Sequence, residues 1–313
     1  MEDYPQNQAE FEDRFASEEA CREYLFRLRW PEGFICPRCR GQKGWLTKRA
    51  LVMCPACGYQ GSLTAGTIFA GTRKPLRAWF QAMWQLTSPK TGASAMTLKR
   101  VLGLGSYQTA WTWLHKLRRA MVTPGRERLR GEVEVDETFV GAPDTGAHGR
   151  QIIDKTLVVV AAEKDGPGIG RIRLRRVEDG SAGNLALFVM DSIEPGSTLV
   201  TDDHSGYAGL GLYRREVRRI RHSGKTASEL LPRVHQVASL LKRWLMGTHH
   251  GAVSHEHLDY YLDEFTFRFN RRASASRGKL FYRLMQNAVR MPPAPYRTMI
   301  KSLRGRKRKN PNL

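Results

Sequence analysis

Cysteine is scarce in this sequence, with five in 313 residues. That excludes a secreted scaffold held together by disulfides. Long apolar runs are missing as well. The longest, Thr156-Leu-Val-Val-Val-Ala-Ala162, falls far short of the ~20 residues that span a bilayer. The polar, acidic N-terminus does not read as a signal peptide. Acid is under-represented, with 30 Asp and Glu against 51 Lys and Arg, a net charge of +21 and a pI near 10.2. No repeat or low-complexity segment appears. The 41% hydrophobic and 26% charged residues belong to an ordinary globular chain rather than a disordered one. What remains is a chain of about two domains at roughly 150 residues each, large enough to bury a core without disulfides. Its charge repels itself unless a polyanion is bound. The expectation is a cytoplasmic, nucleoid-associated protein that meets nucleic acid and no membrane.

The charge is uneven. Residues 1–24 hold eight acids and two bases, whereas residues 301–310 hold six bases (Lys301, Arg304, Arg306, Lys307, Arg308, Lys309) and no acid. Such a tail reads as a phosphate-seeking arm. Pro124-Gly-Arg-Glu127 and Met291-Pro-Pro-Ala-Pro295 mark linkers.

Four of the cysteines form two knuckles, Cys36-Pro-Arg-Cys39 and Cys54-Pro-Ala-Cys57. Each tight turn converges two thiolates, and two such turns complete a tetrahedral zinc site. Gly44-Trp45-Leu46 and Leu51-Val52-Met53 between them suit the hairpin of a zinc ribbon. Four protein thiolates leave no open position, so this zinc is structural and the chemistry lies elsewhere. Cys21, on a helix-like stretch, reads as a small buried hydrophobe. From residue 75 the pattern becomes helical: Leu76, Trp79, Phe80 and Met83 form one stripe. Residues 96–102, a turn at Gly103-Leu-Gly105, and residues 107–121 capped by Ser106 make a helix-turn-helix candidate. Its second helix offers Gln108, Thr109, Thr112, Lys116, Arg118 and Arg119 to DNA.

Beyond residue 130 strands appear. Glu132-Val-Glu-Val-Asp136 alternates, placing Glu132, Glu134 and Asp136 on one face and Val133 and Val135 on the other. Two further strand-like runs cover residues 155–163 and 170–177. A helix over 184–193 comes next, then the strand Thr198-Leu-Val-Thr-Asp202. A fifth strand over 215–222 and helices over 235–246 and 255–271 complete the order. Three strands, a helix, one or two strands and terminal helices fit a ribonuclease-H-like fold. That fold carries one carboxylate within its first strand and another at the end of its fourth. Asp136 and Asp202 occupy those positions. Their oxygens suit Mg²⁺, and a pair of ions could serve an in-line displacement at phosphorus.

The cysteine knuckles resemble those of a DDE-superfamily insertion-sequence transposase, of the ISXO-like group with an N-terminal zinc ribbon. So do Val135-Asp-Glu-Thr-Phe-Val-Gly141, Val200-Thr-Asp202, Ser205-Gly-Tyr207 and the run Tyr261-Leu-Asp-Glu-Phe-Thr-Phe-Arg-Phe-Asn-Arg-Arg272. The resemblance implies a polynucleotidyl transferase that acts on terminal inverted repeats and target DNA as a homo-oligomer. It implies that Asp136 and Asp202 are the first two metal ligands and that Lys242 is the basic residue after the third. Seven residues before Lys242, many relatives carry Glu, and some Asn, where this chain has His235. A neutral imidazole ligates divalent ions and suits Mn²⁺ at least as well as Mg²⁺. Glu229 and Glu264 stand as rival third ligands. The expected architecture is multidomain α/β. It comprises an acidic helical N-terminus (1–30), a zinc ribbon (31–70), a helical DNA-binding segment (71–125), a ribonuclease-H-like catalytic domain with a mixed sheet (126–290) and a basic tail (291–313). The rival function is a non-catalytic zinc-ribbon DNA binder or decayed transposase.

Overall fold

The computed structural model describes residues 2–123, 125–141, 155–219, 223–249, 253–297 and 299. They divide into two compact units, Met1–Thr123 with Ala273–Leu313, and Pro124–Arg272. Residues 300–313, which hold the six bases of the tail, His250 and residues 220–222 lie outside the described residues.

In the first unit, α1 (Gln8–Arg14) and α2 (Glu18–Arg29) each start on a side-chain cap, Asn7 and Ser17. Three short antiparallel strands follow, β1 (Trp45–Leu46), β2 (Leu51–Met53) and β3 (Gln60–Ser62), with Leu46 paired to Val52 and Val52 to Gly61. Helices α3 (Leu76–Thr87), α4 (Ala95–Val101) and α5 (Tyr107–Met121) come next. Pro75 has no side-chain donor or acceptor to cap α3. Glu18 of α2 does so instead, accepting from the Leu76 and Arg77 amides at 2.7 and 3.1 Å. This satisfies donors that every helix start leaves open. Gly103, at φ +58°, turns the chain between α4 and α5, and Ser106 caps α5. The helix-turn-helix order is as expected, with one correction to its surface. Arg118 is buried, because α5 packs against both α4 and the last helix, α10 (Arg277–Ala288). Gln108 stays exposed and Thr109, Thr112 and Arg119 partly so.

Helix α10 also shifts a boundary. The sequence reading carried the catalytic segment to residue 290, whereas the second unit ends at Arg272. Leu280, Phe281, Leu284 and Met285 are fully buried. Phe281 meets Phe11, Phe15, Tyr24 and Phe80 at ring-centroid distances of 5.6, 5.8, 6.4 and 6.0 Å. Gly278 permits this approach, since a Cβ there would lie 1.6 Å from the Pro5 carbonyl oxygen.

The second unit is a five-stranded sheet built from β4 (Glu132–Val140), β5 (Thr156–Asp165), β6 (Gly168–Val177), β7 (Thr198–Thr201) and β8 (Arg214–Val217), in the order β6-β5-β4-β7-β8. Strands β4, β5 and β6 pair antiparallel, while β7 runs parallel to β4 and β8 parallel to β7. One face packs on α6 (Ala182–Ser192) through Val133, Val135, Val159, Leu199 and Phe188. After α7 (Ala227–Leu230), helices α8 (Pro232–His249) and α9 (Leu258–Phe269) cover the other face, over Val158, Val160, Leu174 and Val200. The mixed, twice-covered sheet is the ribonuclease-H-like arrangement.

Candidate active site and metal centre

The four knuckle cysteines converge. All four sulfurs lie within 4.8 Å of one another, with Cys36 Sγ 3.7 Å from Cys57 Sγ and Cys39 Sγ 3.6 Å from Cys54 Sγ. A tetrahedron of ~2.3 Å zinc–sulfur bonds has edges of about 3.8 Å, so the thiols are already at ligating separation. The clustered thiols share protons. Against the cost of burial, the Cys39 and Arg38 amides pull the Cys36 thiol down to about 7. Against the Gly41 amide, the neighbouring thiols of Cys57, Cys54 and Cys36 push the Cys39 thiol up to about 12. Gly41 makes room, because a Cβ there would come within 3.3 Å of Cys39 Sγ and 3.5 Å of Cys54 Sγ. The ribbon is a structural zinc site. Cys21 is fully buried away from it, and burial pushes its thiol up to about 12.

In the second unit, the alternation of β4 turns Glu134, Asp136 and Val140 toward α8 and α9. The β4–β7 ladder runs from Glu132 opposite Thr198 to Glu134 opposite Val200. Continued by two residues, that register brings Asp136 level with Asp202 at the end of β7. Burial first, then the charges of Glu137, Asp202 and Glu134, push the Asp136 carboxyl up to about 7, while the Glu137 amide, donating to Oδ1 at 2.8 Å, opposes the rise. The His204 amide holds Asp202 Oδ1 at 3.0 Å, and Arg215 donates to the Asp202 carbonyl at 3.3 Å.

Helix α8 brings His235 to the same place. It starts on Pro232, and Glu134 of β4 reaches across to cap it. One carboxylate oxygen accepts from the Arg233 and Val234 amides at 2.7 and 3.1 Å, and the other from the Arg233 guanidinium at 2.8 Å. The helix start is thereby pinned two residues before Asp136 on β4. His235 follows in the first turn, with Nε2 3.4 Å from Asp136 Oδ2. Burial, opposed by the Glu134 charge and aided by Lys242, holds the imidazole below its ordinary range. Its Nε2 is buried and makes no hydrogen bond. A ring nitrogen facing a carboxylate without an intervening hydrogen bond fits a shared cation. The ligand atoms of Asp136, Asp202 and His235 do not all fall within 4.8 Å of one another, so this set is more open than the thiols.

The rival carboxylates have other employment. Glu229 is exposed and forms the capping box of α7 with Thr226. Glu264 is fully buried and ion-paired with Arg268 at 2.9 Å. Of the other histidines, His249 stacks edge-on to Trp244 and Tyr261, and His257 bonds Ser254. Sequence reasoning missed two features of the site. One is the Glu134 cap, for which the alternation that placed Glu134 beside Asp136 was the available signal. The other is Glu137, which turns to the opposite face and accepts from the buried Tyr207 hydroxyl at 2.5 Å. This ties β4 to the turn after β7, beyond the point where the main-chain ladder ends.

Residues 128–270 match the ISXO2-like transposase domain, and residues 16–60 match the transposase zinc-ribbon domain. Together they cover more than half the chain. A relative from Halobacterium salinarum, described as an uncharacterized protein in transposable element ISH50, is 26% identical over 278 residues, covering 81% of this chain and 91% of that protein. Among solved structures, the catalytic core domain of BIV integrase aligns at TM-score 0.32 and 13% identity, over 56% of this chain and 98% of that one. A Mos1 transposase paired-end complex with the left transposon end aligns at TM-score 0.30 and 14% identity, over 68% and 75%. Neither structural alignment adds to the argument at such scores. The two domain matches, in the order that the cysteine knuckles and the β4–β7 carboxylates require, place the chain in the ISXO2-like family of DDE-type DNA transposases with an N-terminal zinc ribbon.

Proposed function

We propose that Asp136, Asp202 and His235 form the metal-binding catalytic set, and that the enzyme cleaves DNA at the ends of its insertion sequence and joins the freed ends to target DNA. The carrying observation is the buried His235 Nε2, without a hydrogen bond, 3.4 Å from an Asp136 oxygen. Bound Mg²⁺ or Mn²⁺ would supply charge neutralisation at the phosphate and a more acidic attacking hydroxyl, with the imidazole suiting Mn²⁺ at least as well. The chain's own groups supply placement. Asp136 and Asp202 present oxygens from adjacent parallel strands, His235 a nitrogen lone pair from α8, and Lys242 a cation two helical turns further along. In the first step water attacks the scissile phosphorus while its bond to the 3′-oxygen breaks, leaving a 3′-hydroxyl. In the second that hydroxyl attacks a target phosphorus and displaces the target's own 3′-oxygen.

Supporting the DNA partners are the net charge of +21 and the exposed start of α5. Handling two ends together favours a homo-oligomer on DNA, working in the cytoplasm at the nucleoid. Among the described residues no helix is long and apolar enough to cross a membrane. Asp136→Asn tests the assignment. It should abolish divalent-metal-dependent strand transfer on end-containing oligonucleotides and leave zinc content unchanged. Undiminished transfer by that variant refutes it, and DNA binding without product in either metal by the wild-type chain would leave only a DNA binder.

A further inference from the structure

The second unit holds a cavity of about 330 Å³, walled by Val140, Leu245, Val253 and Leu258, with Lys242 and Thr156 among its lining. It lies at the Val140–Thr156 end of the β4–β5 ladder that also carries Asp136. Its size lies at the lower end of the ~300–1,000 Å³ in which proteins hold small organic groups. Lys242 joins the cavity to the active site. It lines the one, and lies two helical turns along α8 from His235 in the other. The seven residues from His235 to Lys242 advance about 10 Å along α8, within reach of the same DNA strand.

The polar floor has a defined direction. His255 Nε2 lies 2.9 Å from the Arg176 guanidinium, which can only donate, so Nε2 accepts and the ring proton sits on Nδ1. Nδ1 therefore donates to Thr156 Oγ1, 2.6 Å away. Arg176 is itself held by Asp259 at 3.1 Å. The Thr156 hydroxyl, 3% exposed, has already accepted one hydrogen bond and keeps its own proton for an acceptor in the cavity. Apolar walls, one buried donor and an ammonium at the rim match a flat heterocycle with acceptors on its edge, linked to a phosphate.

We propose that this cavity receives one unstacked nucleobase of the DNA strand being processed, with its neighbouring phosphate on Lys242. The proposal rests on the transposase reading of the carboxylate site. Every base carries a carbonyl oxygen or ring nitrogen for Thr156, so the cavity selects an unpaired base more than a particular one. Unstacking costs a few kcal/mol in duplex DNA and less at a frayed or nicked end, which favours the ends over internal sequence.

The test uses the full-length, zinc-loaded protein and duplexes of the element's terminal sequence, each with a single 2-aminopurine near the cleavage point. Wild-type protein and Asp136→Asn should both give a several-fold rise in emission at one position, since seating the base precedes chemistry. Thr156→Val should lose that rise and bind the end about tenfold more weakly, the worth of one buried hydrogen bond. Met246→Trp, at an exposed position lining the cavity, should suppress the rise by filling the space even if the valine variant folds poorly. Stacked-level emission at every position in a complex that a gel shift shows to form overturns the proposal. So does a rise undiminished in both cavity variants. If Asp136→Asn alone loses transfer but keeps the rise, the carboxylate reading and the cavity both stand. A wild-type chain that never binds the duplex overturns both.

Discussion

Replacing Glu134 with Gln perturbs the site without touching the aspartates or His235. The Glu134 side chain is 1% exposed, and its two oxygens accept three hydrogen bonds, from the amides of Arg233 and Val234 and from the Arg233 guanidinium. Glutamine keeps one carbonyl oxygen, which can serve either the helix start or the guanidinium but not both. Its NH₂ group then faces donors. Breaking a buried ion pair from one side costs ~3–5 kcal/mol. Arg233 retains 14% exposure, so water reaches it and the lower figure, about 3 kcal/mol, applies. For a unit of this size that corresponds to a fall of roughly 6–12 °C in Tm. Scanning calorimetry of the full-length chain reads it, with Glu132→Gln as control. Glu132 lies on the same strand but is 27% exposed and pairs with Lys164, so its loss should cost ~0–1 kcal/mol. At a temperature where the Gln variant remains folded, half-maximal strand transfer should need more divalent ion, because His235 is no longer held against Asp136. A Gln variant with wild-type Tm and ion dependence would refute the claim that Glu134 positions α8.

Three further outcomes are expected. His235→Ala should lose strand transfer and His235→Glu retain some, measured with Mg²⁺ and Mn²⁺ separately; full activity of the alanine variant would remove His235 from the ligand set. Chelating zinc from the native protein should expose Cys36, Cys39, Cys54 and Cys57 to a thiol reagent while Cys21, its thiol pushed up to about 12 by burial, reacts only on unfolding. Five fast-reacting thiols after chelation would contradict its buried placement. Burial also pushes the Asp263 carboxyl up to about 7 against the pull of Arg126. Because the folded value lies above the unfolded one, its favourable contribution is complete only below about pH 3 and is lost as pH rises to 7. Asp263→Asn should therefore match wild-type stability near pH 3 and exceed it above pH 7, with denaturant titrations at both pH values as the check.

Features carried by short-range pattern were legible in the sequence. The cysteine spacing forecast the converging thiols. The acid–valine alternation of residues 132–136 forecast which β4 side chains share a face, and the order of strands forecast Asp136 beside Asp202. Features set by distant partners were not. Both α3 and α8 begin at prolines that cannot cap them, and their caps come from Glu18, 58 residues before Leu76, and Glu134, 99 residues before Arg233. Nothing local marks either carboxylate as a cap. Helix α10 shows the same limit. Its apolar stripe announces an amphipathic helix but not which core it enters, and the contiguous reading assigned it to the wrong neighbours. Arg118 read as a phosphate contact because it is basic and lies on α5. That reading holds only for a side chain that the packing of α4 and α10 leaves outside.

The location of the site follows from topology before any residue is chosen. Strand β4 is where the sheet changes direction, with antiparallel β5 on one side and parallel β7 on the other. Ligands of open α/β sheets gather at the carboxyl ends of strands near such a switch. Asp202 directly follows the end of β7, and Asp136 sits at the middle of β4, just past the last residue that pairs with β7. The β4–β7 ladder stops at Glu134 and Val200, two residues short of each aspartate. Helix α8 covers this point from one side because Glu134 seizes its first turn. What this geometry demands at position 235 is a lone pair of suitable reach, which an imidazole nitrogen supplies as a carboxylate oxygen would. Exchanging glutamate for histidine there removes one negative charge from the ligand set and adds a softer donor. It should therefore alter which divalent ion is preferred, and how tightly it binds, while leaving the point of DNA cleavage where the sheet has put it.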